Sequence, residues 1–516
     1  MSFAAAMEAN RTGPVNRPMI TLAVMTSTLM IVLDTTIANV ALPHMQGSLN
    51  ASQDQVTWIL TSYIVASAIL TPLTGWLAAR VGRKNLFLIC VGGFTAASAL
   101  CGIATSIEEM VLFRLLQGVF GAPMLPMGQS ILLDINPREK HGQAMALYGM
   151  GVMVGPILGP VLGGWLTESY SWRWCFYINV PVGAAALVGI LLFIHGDKNA
   201  VKPKLDLAGF LMLSLGIGAL QMMLDRGQGE DWFSSSEIWF EAALAFLGFW
   251  WFAIRTATTA HPFVDRRLFR DRNFVTSCVL GFFLGVMLFS TLALLPPLMQ
   301  RLMGYPAMQS GMALAPRGIG TLVSMFLMGR LMGKLDARLI IATGFTLNAV
   351  ALWQMTHMAL GQDDRLIIIG GLLQGLGLGM VFVPLTTIVF ATISPTLRTD
   401  ASSLFTLVRN IGSSVGISII GAIQLNNIAT ARSTLAEHIR PDNPALQGLA
   451  PPYDITTQTG LAVLNGEVGR QAAMIAYVDA FHITAILCLA CVPLLLLVRS
   501  PRRQPAKAEP AHTVME

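Results

Sequence analysis

Apolar residues run in blocks of roughly 20 along almost the whole chain, the length a helix needs to cross the hydrocarbon core of a bilayer. The blocks begin near Met19, Val56, Leu86, Met110, Gln143, Trp174, Asp206 and Glu237, and again near Phe274, Met308, Leu339, Leu366, Leu404 and Ala476. This pattern predicts an all-α integral membrane protein with 14 transmembrane helices. An even number of crossings puts both termini on one side. The first block follows Arg11 and Arg17 as a signal peptide would, but it is too long and leads directly into further blocks, so it reads as a retained helix.

The order of the blocks contains a repeat at a spacing of about 255 residues, the mark of a chain built from two similar halves. Leu115-Leu116-Gln117-Gly118 in the fourth helix recurs as Leu372-Leu373-Gln374-Gly375 in the twelfth. Gly75-x-Leu77 followed by Arg80 recurs as Gly329-x-Leu331 followed by Lys334, and the Gly-spaced fifth helix corresponds to the thirteenth, with Gly412 and Gly416. The expected organisation is a six-helix half over 1–200, an inserted helix pair over 201–260, a second six-helix half over 261–499 and a cytoplasmic tail over 500–516. The one long extramembrane segment, about 424–475, is polar, carries Pro441, Pro444, Pro451 and Pro452, and falls on the outer side.

Composition agrees with the pattern. With 54% apolar and only 12% charged residues, a water-soluble fold would leave apolar surface exposed. Basic residues collect in the connections expected inside, among them Arg80, Arg83, Lys84, Lys140, Arg255, Arg266, Arg267, Arg330, Lys334, Arg338 and Arg398. The outer connections keep only Arg226, Arg301, Arg365, Arg432, Arg440 and Arg470, which is the positive-inside distribution. The net charge of +5 therefore reads as topology, and no nucleic-acid partner is expected. The six cysteines fall in or beside apolar blocks and predict free thiols. No phosphate-binding loop, metal-like histidine spacing or catalytic constellation is present, so neither a cofactor nor an enzymatic activity is expected.

Inside the apolar blocks a few polar residues carry the chemistry. Asp34 lies about 15 residues into the first helix, ~22 Å from its inner end. A carboxylate at that depth is costly unless it is protonated, paired or facing water, which is the behaviour of a proton-carrying switch. The alternative is a packing role, hydrogen-bonded to Thr35, Thr36 or a neighbouring helix. Arg114 is the natural partner, and the repeat places Gly371 at its counterpart, so this charge belongs to one half alone. Its alternative is an interfacial arginine reaching for headgroups. Asn39, Gln117, Arg317, Gln374 and Arg409 are candidates for a substrate cavity, one better suited to neutral or weakly acidic amphiphiles than to dications. Gly151, Gly155, Gly159 and Gly163, each four apart with Pro156 and Pro160 between, line one face of the fifth helix as a gate between halves or as simple tight packing. Gly75, Arg80, Gly82 and Arg83 form either a basic anchor or a latch that pairs with a carboxylate or a helix end in one conformation. Asp479 and His482 are spaced as an i, i+3 pair.

These residues together resemble the fourteen-helix drug:proton antiporters of the major facilitator superfamily, and within them the EmrB-like multidrug exporters. The likeness spans nearly the whole chain and rests on Leu33-Asp34-Thr-Thr-Ile-Ala-Asn39-Val-Ala-Leu-Pro43, the Gly75–Lys84 loop, Arg114-x-x-Gln117-Gly118 and Gly155-Pro156-x-x-Gly159-Pro160-x-x-Gly163-Gly164. Trp172-Arg173-Trp174-x-Phe176-Tyr-Ile-Asn179-Val-Pro181, Leu224-Asp225-Arg226-Gly227 and Arg272-Asn273-Phe274 add to it. One departure is Ala79, where the superfamily's inner loop usually has an acidic residue. The resemblance implies export of varied hydrophobic drugs, uncouplers or fatty acids in exchange for protons across a bacterial inner membrane. Asp34 would be the proton carrier, Arg114 its modulator and the fifth-helix ridge the element that enforces exchange. It also implies a periplasmic adaptor protein and an outer-membrane channel as partners, with the outer segment as the docking surface. The competing readings are a dedicated exporter of one metabolite, such as a siderophore or fatty acid, and a membrane receptor that does not transport.

Overall fold

The computed structural model describes residues 16–194, 204–361, 364–440, 442–444, 446 and 453–498. The tail 500–516 and Arg11, Pro441, Pro451 and Pro452 lie outside the described residues. The chain is helical, with no strand among the described residues. The spans are α1 (Arg17–Ser48), α2 (Gln53–Leu70, carried on by Thr71–Leu73 and Thr74–Val81), α3 (Arg83–Ile103), α4 (Ile107–Gly121 and Met124–Ile135), α5 (His141–Ser169) and α6 (Trp174–Phe193). They are followed by α7 (Leu207–Arg226), α8 (Ser236–Thr258), α9 (Arg272–Leu302), α10 (Ala307–Leu331), α11 (Ala337–Met355), α12 (Arg365–Ala391), α13 (Arg398–Ala436) and α14 (Gln458–Leu494). Thirteen of these 14 are long and apolar enough to cross a membrane. The remaining one, α11, carries Arg338, Asn348 and Gln354, which lower its hydropathy, yet it packs along α12 and α14 like its neighbours.

The sequence marks these ends locally. Ser52 caps α2 in a reciprocal box with Gln55, and the side chains of Ser106, Asp206, Asp271, Asp336 and Thr457 accept from backbone N–H groups at the starts of α4, α7, α9, α11 and α14. Each satisfies a donor that the first helical turn leaves without a partner. Where Pro72 interrupts α2, the hydroxyls of Thr71 and Thr74 donate to the carbonyls of Ser67 and Thr71, so these side chains satisfy their polar groups on their own helix.

Helices pair alike in α1–α6 and α9–α14: α1 lies on α5 and α9 on α13, α2 on α4 and α10 on α12, α3 on α4 and α11 on α12. Glycines set the closest approaches. A Cβ on Gly118 would stand 2.5 Å from the Tyr63 carbonyl oxygen, and one on Gly248 the same distance from the Gly216 nitrogen, which is how α8 seats on α7. α7 in turn touches α2 and α13, and Ser418 of α13 donates to the Leu224 carbonyl at 2.8 Å.

The two sets of six meet most closely at the end bearing Arg83, Lys84, Arg330 and Lys334, the basic end. Gly142 faces Met332 there, and Gly329 faces Ala146, along the α5–α10 seam. Asp134 at the close of α4 accepts from Arg83 in the α2–α3 turn and from Arg398 of α13 at 2.7 Å. Ser402 donates to Gln129 at 2.6 Å, Ser130 and Thr399 are 3.1 Å apart, and the Asp400 carboxylate fills the space a side chain on Gly75 would take. Gly82, at φ +88°, makes the turn that presents Arg83.

Two boundaries differ from the hydropathy reading. α13 starts at Arg398 and α14 at Gln458, ahead of the expected Leu404 and Ala476, and α13 continues to Ala436. The 424–475 segment is thus mostly two helical extensions with a connection between them. With 39 residues α13 is about 58 Å long, against ~30 Å of hydrocarbon, so its end stands clear of the bilayer. Hydropathy reports only the buried part of such a helix. Arg432 donates to Asn465 at 3.0 Å across the extensions. Asp479 accepts from Asn427 at 3.1 Å and makes no pair with His482, which is exposed.

Because one carboxylate holds both arginines, Asp134→Asn is expected to loosen the basic end. In a Ser402→Cys background, whose native cysteines are all buried, N-ethylmaleimide labelling of Cys at that position should rise several-fold with Asp134→Asn. Unchanged labelling would show that apolar packing alone closes this end.

Candidate functional site

Asp34 projects from the buried face of α1, alongside Met30, Ile31, Ile37 and Ala38. On α4 the buried positions Met110, Arg114, Gln117, Gly118 and Gly121 follow helical periodicity, so Arg114 and Gln117 stand one turn apart on the same face. The close approach of α2 at Gly118 brings the Tyr63 ring over Arg114, its guanidinium carbon 4.4 Å from the ring centroid.

The three groups form one closed network. Asp34 Oδ2 accepts from Arg114 Nη1 at 2.7 Å, and Oδ1 accepts from Gln117 Nε2 at 2.8 Å and from Asn179 Nδ2 at 2.7 Å. Arg114 also donates to Gln117 Oε1 at 2.7 Å and, through Nε, to the Ile59 carbonyl at 3.2 Å, while its Nη2 has no hydrogen-bond partner. Asn179 of α6 donates further to Ser98 of α3, which donates to the Phe176 carbonyl. Both members of the ion pair have 0% side-chain exposure. Thr35 and Thr36 do not serve Asp34. They return to carbonyls of their own helix, and Thr36 also reaches the Gly155 carbonyl at 3.1 Å.

Chemically, the carboxylate is held by three donors, one of them a cation. Both of its oxygens accept in this arrangement, and an ionised partner makes such bonds short and strong. Protonation would leave Arg114 as a buried cation without a counter-ion, a state that costs about 3–5 kcal/mol.

The glycine ridge lies elsewhere than between halves. Gly151 faces Met25, Gly155 faces Val32, Gly159 faces Thr36 and Gly163 faces Ile37, all on α1. It seats α5 on the helix that carries Asp34. Contacts from α5 to the second set use Gly142, Gly149 and Ile157, against Met332, Met325 and Gly318. In the latch region Arg83 meets Asp134, whereas Arg80 is exposed with its guanidinium over Trp76.

The cavity candidates are dispersed. Gln117 belongs to the Asp34 network. Asn39 is exposed on α1 and outside that network. Arg409 of α13 stacks toward Phe382, 5.8 Å from its ring. Gln374 of α12 donates to Thr291 of α9 at 3.4 Å. Arg317 of α10 lines a cavity of about 80 Å³ with Met153, Pro156, Ile157, Leu288, Leu292 and Leu314. Asn179, Ser98 and Tyr63 complete the Asp34 network without having been expected there. The signal for Asn179 was its place as a polar residue inside the sixth apolar block, after Trp172-Arg173-Trp174. Arg173 anchors that segment by donating to the Gly102 and Ala104 carbonyls.

Comparisons with known proteins place the chain in a family. The Major Facilitator Superfamily profile matches residues 24–417. The Multidrug export protein EmrB of Escherichia coli K12 is 36% identical over 486 residues, covering 93% of this chain and 95% of that protein. The Fatty acid resistance protein FarB of Neisseria gonorrhoeae is 36% identical over 487 residues, covering 93% and 96%. Among solved structures, the human organic anion transporter MFSD10 superposes with a TM-score of 0.61 at 14% identity, covering 92% of this chain and 100% of its own, a likeness of fold. The chain belongs to the Major Facilitator Superfamily and, within it, to the EmrB-like group of multidrug exporters.

Proposed function

We propose that this chain is a proton-coupled antiporter that exports hydrophobic drugs and related amphiphiles across a bacterial inner membrane, with Asp34 as the proton carrier. The observation that carries this reading is the fully buried carboxylate held by Arg114, Gln117 and Asn179. An ionised pair at that depth is seldom the most stable way to fill a core, so its presence favours a task. A proton arriving from the far end neutralises Asp34 and frees Arg114. α1 then shifts on the glycine ridge of α5, and the contacts around Asp134 open the basic end. Substrate binding from that side favours the ionised pair again and expels the proton. One charge moving through 100 mV supplies about 2.3 kcal/mol.

The basic end is read as cytoplasmic from its lysines and arginines, with both termini on that side. The units α1–α6 and α9–α14 rock about the α5–α10 seam, and α7–α8 ride on α2 and α13. The extensions of α13 and α14 then stand in the periplasm, exposing Leu425, Leu461 and Val463. That apolar surface, clear of the bilayer, suits a periplasmic adaptor leading to an outer-membrane channel. The names of EmrB and FarB support drugs and fatty acids as cargo.

Three outcomes follow. In energised inverted vesicles at matched expression, hydrophobic substrates are expected to dissipate the proton gradient with the native chain and not with Asp34→Asn; equal dissipation by both would assign the proton to another group. Asn179→Leu removes one donor from the carboxylate and is expected to slow substrate-dependent proton flux by about 10-fold, the scale of one charged hydrogen bond, which initial rates in the same vesicles would read. Leu461→Glu combined with Val463→Glu is expected to lower drug resistance of cells while leaving vesicle exchange unchanged. Loss of exchange in vesicles would show that the extensions serve transport itself and not a partner.

A further inference from the structure

Gln117 donates to Asp34 on α1, and Gln374 donates to Thr291 on α9, each residue of the second pair lying 257 positions after its counterpart. The same hydrogen bond is thus built twice, with a threonine in place of the carboxylate. The arginine has moved as well. Gly371 occupies the counterpart of Arg114, and Arg317, 254 positions after Tyr63, fills the space on the facing helix, its Cβ 3.5 Å from where a side chain on Gly371 would start. The second site therefore keeps its cation and lacks the internal anion.

The guanidinium shows the deficit. Arg317 is 6% exposed, its Nη2 reaches only the Leu288 carbonyl at 3.4 Å, and its Nη1 has no partner. Nearby, Gln374 Oε1 is also without a donor. A buried guanidinium lacking an acceptor is strongly unfavourable, and here it borders the cavity between α5, α9, α10 and α12. Except for Arg317 and Thr321, the residues of the cavity wall are apolar side chains and glycines. At about 80 Å³ it is roughly half the engineered cavity that accepts benzene, so it takes a headgroup and its first carbons, and a longer body extends along the seam.

We infer that Arg317 is the headgroup subsite for amphiphilic carboxylates, pairing its free Nη1 with the carboxylate while the apolar body of the ligand lies against Ile157, Leu288, Leu292 and Leu314. This deepens the export reading by naming a substrate class and rests on it for the direction of movement, but binding at the subsite is independent of turnover. Pro156 and Ile157 belong to α5, whose other face seats α1. An occupied subsite is thereby one helix removed from Asp34.

Equilibrium binding of radiolabelled 1-naphthoate and of its neutral isostere 1-naphthylmethanol to the purified full chain in a maltoside detergent tests this. The native chain is expected to bind the acid at least 10-fold more tightly at pH 7, and Arg317→Gln to bind both alike. Arg317→Lys is expected to restore part of the preference. Equal binding of acid and alcohol by the native chain, or an undiminished preference in Arg317→Gln, would overturn the assignment. If Arg317→Gln does not fold, Leu292→Phe, which narrows the same cavity from α9, should weaken naphthoate binding several-fold, and unchanged binding would overturn it equally. An anionic phospholipid offers the same chemistry, so displacement of naphthoate by stoichiometric phosphatidylglycerol would transfer the site to lipid and overturn the substrate reading. Asp34→Asn is expected to retain the acid preference, so loss of proton coupling and loss of the subsite are read separately.

Discussion

The structure of the first six helices depends on one charge that has nowhere to go. Asp34 is fully buried, and Arg114, Gln117 and Asn179 converge on its carboxylate from α4 and α6. Each of those side chains needs its own helix to come close. Gly118 lets α2 press on α4, the ridge from Gly151 to Gly163 lets α5 press on α1, and Arg173 pins the entry to α6. Small residues at helix contacts are the general means of association in a bilayer, where apolar burial gives no preference for protein over lipid. Here they also set the geometry of a polar network that tolerates little error.

The second set of six helices repeats the scaffold and changes the charge. The glutamine and its hydrogen bond remain, the carboxylate becomes Thr291, and the cation crosses from α12 to α10 as Arg317. One half thus holds a single internal ion pair and the other an uncompensated cation. Between them runs the α5–α10 seam, which touches the Asp34 helix on one side and the Arg317 cavity on the other.

Much of this was legible in the chain. Block lengths gave the helix count and order, because the bilayer imposes one element length on each crossing. Asp34 and Arg114 stood out because charge is so rare at that depth, and the repeat singled out Arg114 by the glycine opposite. What stayed hidden depended on helix rotation and on distance along other segments. Asn179 has a neutral side chain in an apolar block, and nothing in its neighbourhood says that it faces α1. Asp134 ends the fourth block, far in sequence from Ala79, where the superfamily's loop usually has an acidic residue, yet it is the residue that receives Arg83 and Arg398. The ridge was visible as a face but not its partner, which is α1 and not the opposite half. The lengths of α13 and α14 were underestimated because their outer turns are polar.

In the proposed cycle Asp34 exchanges its proton for the ion pair when substrate binds. Proton release from the purified chain in weakly buffered detergent, followed with a pH indicator as a neutral hydrophobic substrate is added, measures this without a membrane potential or a partner. Release of about one proton per bound substrate is expected from the native chain and none from Asp34→Asn with binding retained; equal release from both would exclude Asp34 as the proton carrier.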